Sequence, residues 1–132
     1  MKQFKGVYPI SGEDLSTLPV KAIAPAVEFY RTVLGFTVVD RDDAAATLQR
    51  DDARIGLVRK PDHKSGEAGS FAIAVADLGA MRAELDGRGL DLGGIRVDEW
   101  DGKKYRVFFL REAENGYCYC FTQPVAEGER SV

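Results

Sequence analysis

Three groups of residues in this sequence carry side chains that can do chemistry. The densest is Asp98-Glu99-Trp100-Asp101-Gly102-Lys103-Lys104-Tyr105-Arg106. Trp100 and Tyr105 offer flat rings on which a planar molecule can stack. Arg106 carries a charged fork suited to a carboxylate or phosphate, and Arg54 is a further cation in the first half. The second group is Cys118 and Cys120. Thiols two apart on a strand share a face but lie along one line, a poor geometry for a disulfide. They read as two small buried thiols in a reducing compartment. No histidine lies near them in sequence to activate either as a nucleophile. The third is the only histidine, His63, within the polar stretch Pro-Asp-His-Lys-Ser-Gly-Glu-Ala-Gly. It reads as a solvated loop residue rather than a metal ligand. The acidic pairs Asp42-Asp43, Asp51-Asp52 and Glu112/Glu114 fall in turns and read as solvated charges. Gly93-Gly94 precedes no helix start, so it is not a phosphate loop.

The elements that must position these groups follow from periodicity. A helix is expected over 24–34, with Val27, Phe29, Tyr30, Val33 and Leu34 near one face. Pro25 suits its first turn and Gly35 its stop. A second helix is expected from Leu78 to Gly87, with Asp77 as N-cap, a stripe of Leu78, Met81 and Leu85, and Gly87 or Gly89 as its end. A strand precedes each helix, at 16–21 and 70–76. Strands follow the first helix at 36–40, 45–50 and 54–60, and the second at 94–98, 104–111 and 117–123. Asp51-Asp52, Asp101-Gly102 and Asn115-Gly116 supply turn chemistry between them.

The order is thus β-α-β-β-β twice, an internal repeat of pattern rather than of identity. The expected organisation is an N-terminal extension over 1–14, a first module over 15–60 and a linker over 61–69. A second module over 70–123 and a tail over 124–132 complete it. The two ends are expected to be flexible or packed on a sheet edge. In 70–75, Phe71, Ile73 and Val75 alternate with Ser70, Ala72 and Ala74. In 117–122, Tyr117, Tyr119 and Phe121 alternate with Cys118, Cys120 and Thr122. The large sets should lie under the helices, leaving the small sets to line a face with room. A ligand, a partner chain or the N-terminal segment could occupy it. In the strand over 104–111 neither face is clearly polar, so alternation does not say which set lines that room.

Composition excludes several functions. The 132 residues are 45% hydrophobic and 30% charged, ordinary for a globular domain. The net charge of -3 gives no basic footprint for nucleic acid or an anionic membrane. No apolar run approaches the ~18 residues a bilayer span needs. The first residues lack the apolar stretch of a signal peptide, so a cytoplasmic location is expected.

Ala26-Val27-Glu28-Phe29-Tyr30-Arg31-Thr32-Val33-Leu34-Gly35-Phe36 resembles the A-x-x-F-Y-x-x-x-L-G-F helix exit of the glyoxalase/bleomycin-resistance/dioxygenase, or vicinal-oxygen-chelate, superfamily. Phe71 to Leu78 resembles its x-F-x-V-x-D-L strand and cap. Glu114 to Gln123 resembles its closing D-P-D-G-Y-x-x-E-F-x-Q strand. The likeness spans about residues 15–124. It implies an α+β fold of two paired βαβββ modules.

In the superfamily's enzymes, His, Glu or Gln from the first and last strands of each module hold one divalent metal. Carried over by spacing, those positions fall at about Leu15, near Gly56, and at Ser70 and Cys120; a slip of register at the first two offers only Asp14 and Arg54 as ligands, with changed strand facing. An aliphatic, a hydrogen, a hydroxyl and a thiol do not make a site that needs about three good ligands. The resemblance therefore implies a metal-free, cofactor-free binder of the bleomycin-resistance type. Such a protein would be a homodimer with a drug-like molecule or metabolite in a groove. Its ligand-binding candidates are Trp100, Tyr105, Arg106, Cys118, Cys120 and Arg54. The alternative is a metal-dependent lyase, isomerase or dioxygenase with a displaced site at His63, Glu99 or Cys120. A third reading is a degenerate structural or regulatory partner whose cavity is filled.

Overall fold

Large and small residues alternate along two strands, and the observed sheet places those strands side by side. A computed structural model describes the chain except Met1, Ser11, Glu13, Gly89 and residues 126–132, together with the side chain of Asp91. Expectations for Gly89 and most of the tail lie outside the described residues.

The first module runs β2 (Leu18–Val20), α1 (Ile23–Thr32), β3 (Thr37–Arg41), β4 (Ala45–Arg50) and β5 (Ala53–Arg59). Its sheet has the order β2-β5-β4-β3, with β2 parallel to β5 and the other pairs antiparallel. The second runs β6 (Ser70–Val75), α2 (Leu78–Leu85), β7 (Asp91–Leu92), β8 (Arg96–Trp100), β9 (Lys103–Arg111) and β10 (Cys118–Pro124). Here β6 pairs in parallel with β10, β10 with β9, and β9 with both β7 and β8. The βαβββ pattern thus occurs twice, with the two-residue β7 as an addition. The strand expected at 94–98 lies at Arg96–Trp100, so Trp100 ends a strand rather than standing in the turn.

Local chemistry explains the boundaries. Asp77 caps α2 by accepting from the Ala80 amide at 3.0 Å. Asp101 and Gly102 both have positive φ, 51° and 76°, and close the β8–β9 hairpin between paired Trp100 and Lys103. That is the backbone twist a two-residue hairpin loop favours. The stripe of Leu78, Met81 and Leu85 is buried, as are Ala26, Val27 and Tyr30 on α1.

One strand was not expected. β1 (Phe4–Pro9) adds antiparallel to the outer edge of β6, so this part of the extension packs on an edge. A register shift between Phe4 and Gly6 breaks its alternation, which removes the period-2 signal from the sequence. The Asp51 carboxylate accepts from the Gln3 and Phe4 amides and ties β1 to the β4–β5 turn.

Both modules share one apolar core. Tyr30 of α1 and Tyr119 of β10 meet through their hydroxyls at 2.9 Å, each with 2% exposure or less. Arg50 of β4 makes a two-pronged ion pair with Glu84 of α2 at 2.9 and 3.1 Å. The same guanidinium donates to the Leu34 carbonyl and lies 4.3 Å from the Phe4 ring centre.

Two expectations about solvated charges fail at the 112–117 turn. Glu112 is only 6% exposed, and its two carboxylate oxygens accept from the Asn115 amide at 2.9 and 3.1 Å. His63 is 3% exposed and stacks on Tyr117 at 6.0 Å, while its Nε2 meets the Asn115 carbonyl at 2.9 Å. A carbonyl can only accept, so that nitrogen carries the proton. Nδ1 is buried and has no hydrogen-bond partner among the described residues. Asn115 Oδ1 accepts from the Lys21 amide, which joins linker, first module and turn. Gly116 takes φ 84°, and a Cβ there would sit 2.1 Å from the Ser65 carbonyl oxygen.

Burial is the main reason the Glu112 carboxyl is pushed above its ordinary value. The Glu114 charge acts the same way, against hydrogen bonds from the turn's amides. The folded protein therefore holds this proton more tightly than the unfolded chain. The sign follows: stability falls as pH rises from the ordinary glutamate range through the raised value. Urea unfolding of wild type and Glu112→Gln across that window should show the wild type losing stability relative to the variant. Parallel curves would remove Glu112 as the source.

Candidate functional site

Parallel, in-register pairing of β6 with β10 decides what each sheet face carries. Ser70, Ala72 and Ala74 stand beside Cys118, Cys120 and Thr122 on one face, and Phe71 and Ile73 beside Tyr119 and Phe121 on the other. The bulky face is fully buried under the helices. The small face is left open, and a cavity of about 860 Å³ lies over it. That volume is in the range of small-molecule sites.

The antiparallel partner β9 resolves its own ambiguity by register. Tyr105, Val107 and Phe109 lie opposite Pro124, Thr122 and Cys120, hence on the open face. Arg106, Phe108 and Leu110 face the helices. β8 adds Asp98, opposite Tyr105, and Trp100 beyond it. The cavity's floor is Ser70, Ala72, Ala74 and Thr122; Trp100, Tyr105 and Phe109 stand to one side and Tyr8, Pro9 and Ile10 to the other. Trp100 and Tyr105 lie 5.1 Å apart with a 33° tilt, and Trp100 keeps 38% exposure.

Trp100 and Tyr105 are therefore brought together at the cavity. Cys118 and Cys120 share its face, both as free thiols; Cys120 is fully buried and Cys118 half-buried. Arg106 is on the opposite face of β9, in register with Gln123 and Val97. Arg54 is on the other sheet, exposed, with its guanidinium 3.5 Å from Gln49 Oε1.

The charged lining is acidic instead: Asp98 and Asp101, with no Lys or Arg among the described residues there. Asp98 is paired with Arg96 at 3.2 Å, and that guanidinium lies 5.0 Å from the Phe109 ring centre. Tyr8, Pro9 and Ile10 were missed because β1 was missed. Asp98 and Phe109 become legible only once register is known.

The positions carried over by spacing from the superfamily's metal ligands do not offer three good donors. Ser70 and Cys120 share the open face of one sheet. Leu15 packs on the core, and its carbonyl accepts from the Gly56 amide. A Cβ at Gly56 would meet the Ser16 carbonyl oxygen at 2.0 Å, so no side chain has room there. The displaced set fails as well. Glu99 lies on the face of β8 opposite to Asp98, and His63 sits behind Tyr117. Among the described residues no three His, Cys, Asp or Glu side chains converge.

The sequence model of the Glyoxalase/Bleomycin resistance protein/Dioxygenase superfamily matches residues 14–118. The chain belongs to that superfamily. Its fold is similar to that of a bleomycin resistance determinant encoded on the transposon Tn5. The TM-score is 0.71 at 20% identity, over 86% of this chain and 98% of that one. It is also similar to a bleomycin-binding protein complexed with bleomycin, with a TM-score of 0.70 at 20% identity over the same shares. An antibiotic-binding protein from Streptomyces sp. CB03234 gives a TM-score of 0.65 at 18% identity, over 88% and 99%. No curated protein matches the chain in sequence. Membership confirms the paired βαβββ architecture expected from the motifs.

Burial, with Asp98 and Cys118 acting in the same direction, pushes the Cys120 thiol up to about 12. It is a neutral, inaccessible thiol at physiological pH, not a nucleophile. Iodoacetamide should therefore label the native protein at Cys118 only, and both cysteines after denaturation, as mass spectrometry of the peptides would show. Rapid native labelling of Cys120 would contradict its burial.

Proposed function

We propose that this protein binds a small, flat, drug-like molecule or metabolite in the cavity over the open face of β6, β10, β9 and β8, without metal or cofactor. The observation that carries this reading is the face itself, where a small-residue floor lies beside the Trp100–Tyr105 pair and Phe109. A floor of Ser, Ala and Thr leaves volume, and adjacent rings supply stacking surface. The likeness to bleomycin-binding and antibiotic-binding proteins supports sequestration rather than turnover. The donor set at the superfamily's metal positions supports the same choice over a lyase, isomerase or dioxygenase.

Within this reading Trp100 and Tyr105 contact the ligand, while Cys118 and Cys120 share the face of the sheet without lining the cavity. Arg106 is set aside because it is on the helix-facing side. The modules are the units 15–60 and 70–123, joined through 61–69. The working form is a cytoplasmic homodimer. Tyr8, Ile10 and Trp100 stay exposed around the cavity mouth and are apolar surface a second copy would cover. Arg54 is set aside as well, because it stands exposed on the other sheet beside Gln49.

Trp100 is the only tryptophan, so its emission reports directly on the site. Titration with bleomycin and a panel of planar aromatic antibiotics should quench or shift it saturably for at least one compound. Ligand at ~100 times its dissociation constant should add about 2.7 kcal/mol of stability. Ala72→Trp, which fills the floor, should abolish binding while the fold persists by circular dichroism. Binding that survives Ala72→Trp unchanged would place the ligand elsewhere. Analytical ultracentrifugation should give twice the chain mass; a monomer at all concentrations would refute the dimer.

A further inference from the structure

A strand at the rim of a sheet leaves backbone donors and acceptors open on one side, and proteins blunt such edges. Most outer strands here are blunted. β1 carries a register shift and ends at Pro9. β2 is three residues long with Pro19 at its centre. β3 has a shift between Val38 and Asp40, and β7 has two residues. β8 has none of these devices. Its five residues contain no proline and pair with β9 in unbroken register from Arg96 to Trp100. Among the described residues β8 pairs with no other strand. Exposed apolar residues stand at its two ends, Ile95 at 47% and Trp100 at 38%.

Its side chains are ordered in a way that suits a second copy of itself. Asp98 lies on the open face, so alternation puts Arg96 and Trp100 there too, with Gly94 in line beyond them. Ile95, Val97 and Glu99 belong to the other face. Two identical strands joined antiparallel are related by a two-fold axis perpendicular to the sheet, so each residue meets one on its own face. Centred on Arg96, Asp98 or Glu99, such a pair opposes like charges. Centred on Trp100, it opposes Glu99 to Asp101. Centred on Val97, it sets Arg96 against Asp98 twice, and Trp100 against Gly94 twice.

That register extends a contact already present. Arg96 and Asp98 of one chain stand 3.2 Å apart, and the two-fold would turn two such pairs into one alternating cluster. Their side chains are 61% and 27% exposed, so the charges select the register more than they supply affinity. Affinity comes from the ladder hydrogen bonds and from covering Trp100. Gly94 leaves room for that ring, since a Cβ there would meet open space.

We propose that the protein dimerises by joining β8 of one copy to β8 of a second, antiparallel and centred on Val97. The inference rests on the homodimer of the proposed function and names its interface. The two six-stranded sheets continue as one, with both open faces on the same side. Each Trp100 then stands between its own cavity and the joint.

The test is sedimentation of the full-length protein and its charge variants. Arg96→Asp sets acid against acid across the joint, and Asp98→Arg sets base against base. Each alone should raise the dimer dissociation constant at least about tenfold. An equimolar mixture of the two variants should restore the dimer, because the acidic copy then meets the basic one. The double variant Arg96→Asp/Asp98→Arg should dimerise by itself. Circular dichroism checks that each variant folds. If one does not, hydrogen exchange of the wild type replaces it. Amides of residues 95–99 should lose protection on dilution, while those of 37–41 exchange alike at every concentration. Folded variants that stay monomeric when mixed, or protection of 95–99 that ignores dilution, would overturn the proposal. A dimer that withstands both single reversals would keep the homodimer and reject this interface. A monomer at every concentration would reject both.

Discussion

The parallel pairing of β6 with β10 is the constraint from which the open cavity follows. A strand's side chains alternate between faces, and in-register parallel neighbours repeat that alternation side by side. Because Phe71, Ile73, Tyr119 and Phe121 are all bulky and Ser70, Ala72, Cys118 and Cys120 all small, one face packs to full density while the other keeps space. A slip of one residue in either strand would put an aromatic ring on the floor and a thiol in the core. The apolar burial of those aromatic rings therefore holds the register. In this sense the interior, rather than the site, keeps the cavity open.

A second set of contacts makes the two modules one body. The Tyr30–Tyr119 hydroxyl pair and the Arg50–Glu84 ion pair each connect residues distant in sequence. Arg50 and Glu84 retain 18% and 33% side-chain exposure, so their value lies in geometry more than in raw attraction. The turn at 112–117 adds backbone connections to Lys21 and His63. Two glycines have no room for a Cβ, Gly56 against Ser16 and Gly116 against Ser65. Gly56 is also the position that spacing carries over from a ligand of the superfamily's enzymes. The absence of a donor there is thus part of the packing.

Much of the fold was legible because it rests on local rules. The stripe of Leu78, Met81 and Leu85, the cap at Asp77 and the hairpin at Asp101-Gly102 are each encoded within a few residues. Errors arose where local chemistry and tertiary placement part company. β1 carries an irregular register that hides its period. His63 and Glu112 have the sequence neighbourhoods of solvated turns, yet packing closes over both. Tyr105 and Arg106 alternate on one strand, and only the register of β9 on β10 decides that Tyr105 meets the cavity and Arg106 does not. The expected cationic lining is consequently acidic, through Asp98 and Asp101.

Taken alone, the sequence determined the superfamily, the doubled βαβββ order and the small-residue floor. Each of these depends on residue type and spacing within one strand, helix or turn. Only the tertiary structure decided which face of β9 meets the cavity, that β1 borders it, and that a carboxylate and an imidazole are buried at the module junction. Those facts depend on strand register and on contacts between segments far apart in the chain. The free energy that selects them comes from burying the whole core at once, and no single stretch of residues contains that information.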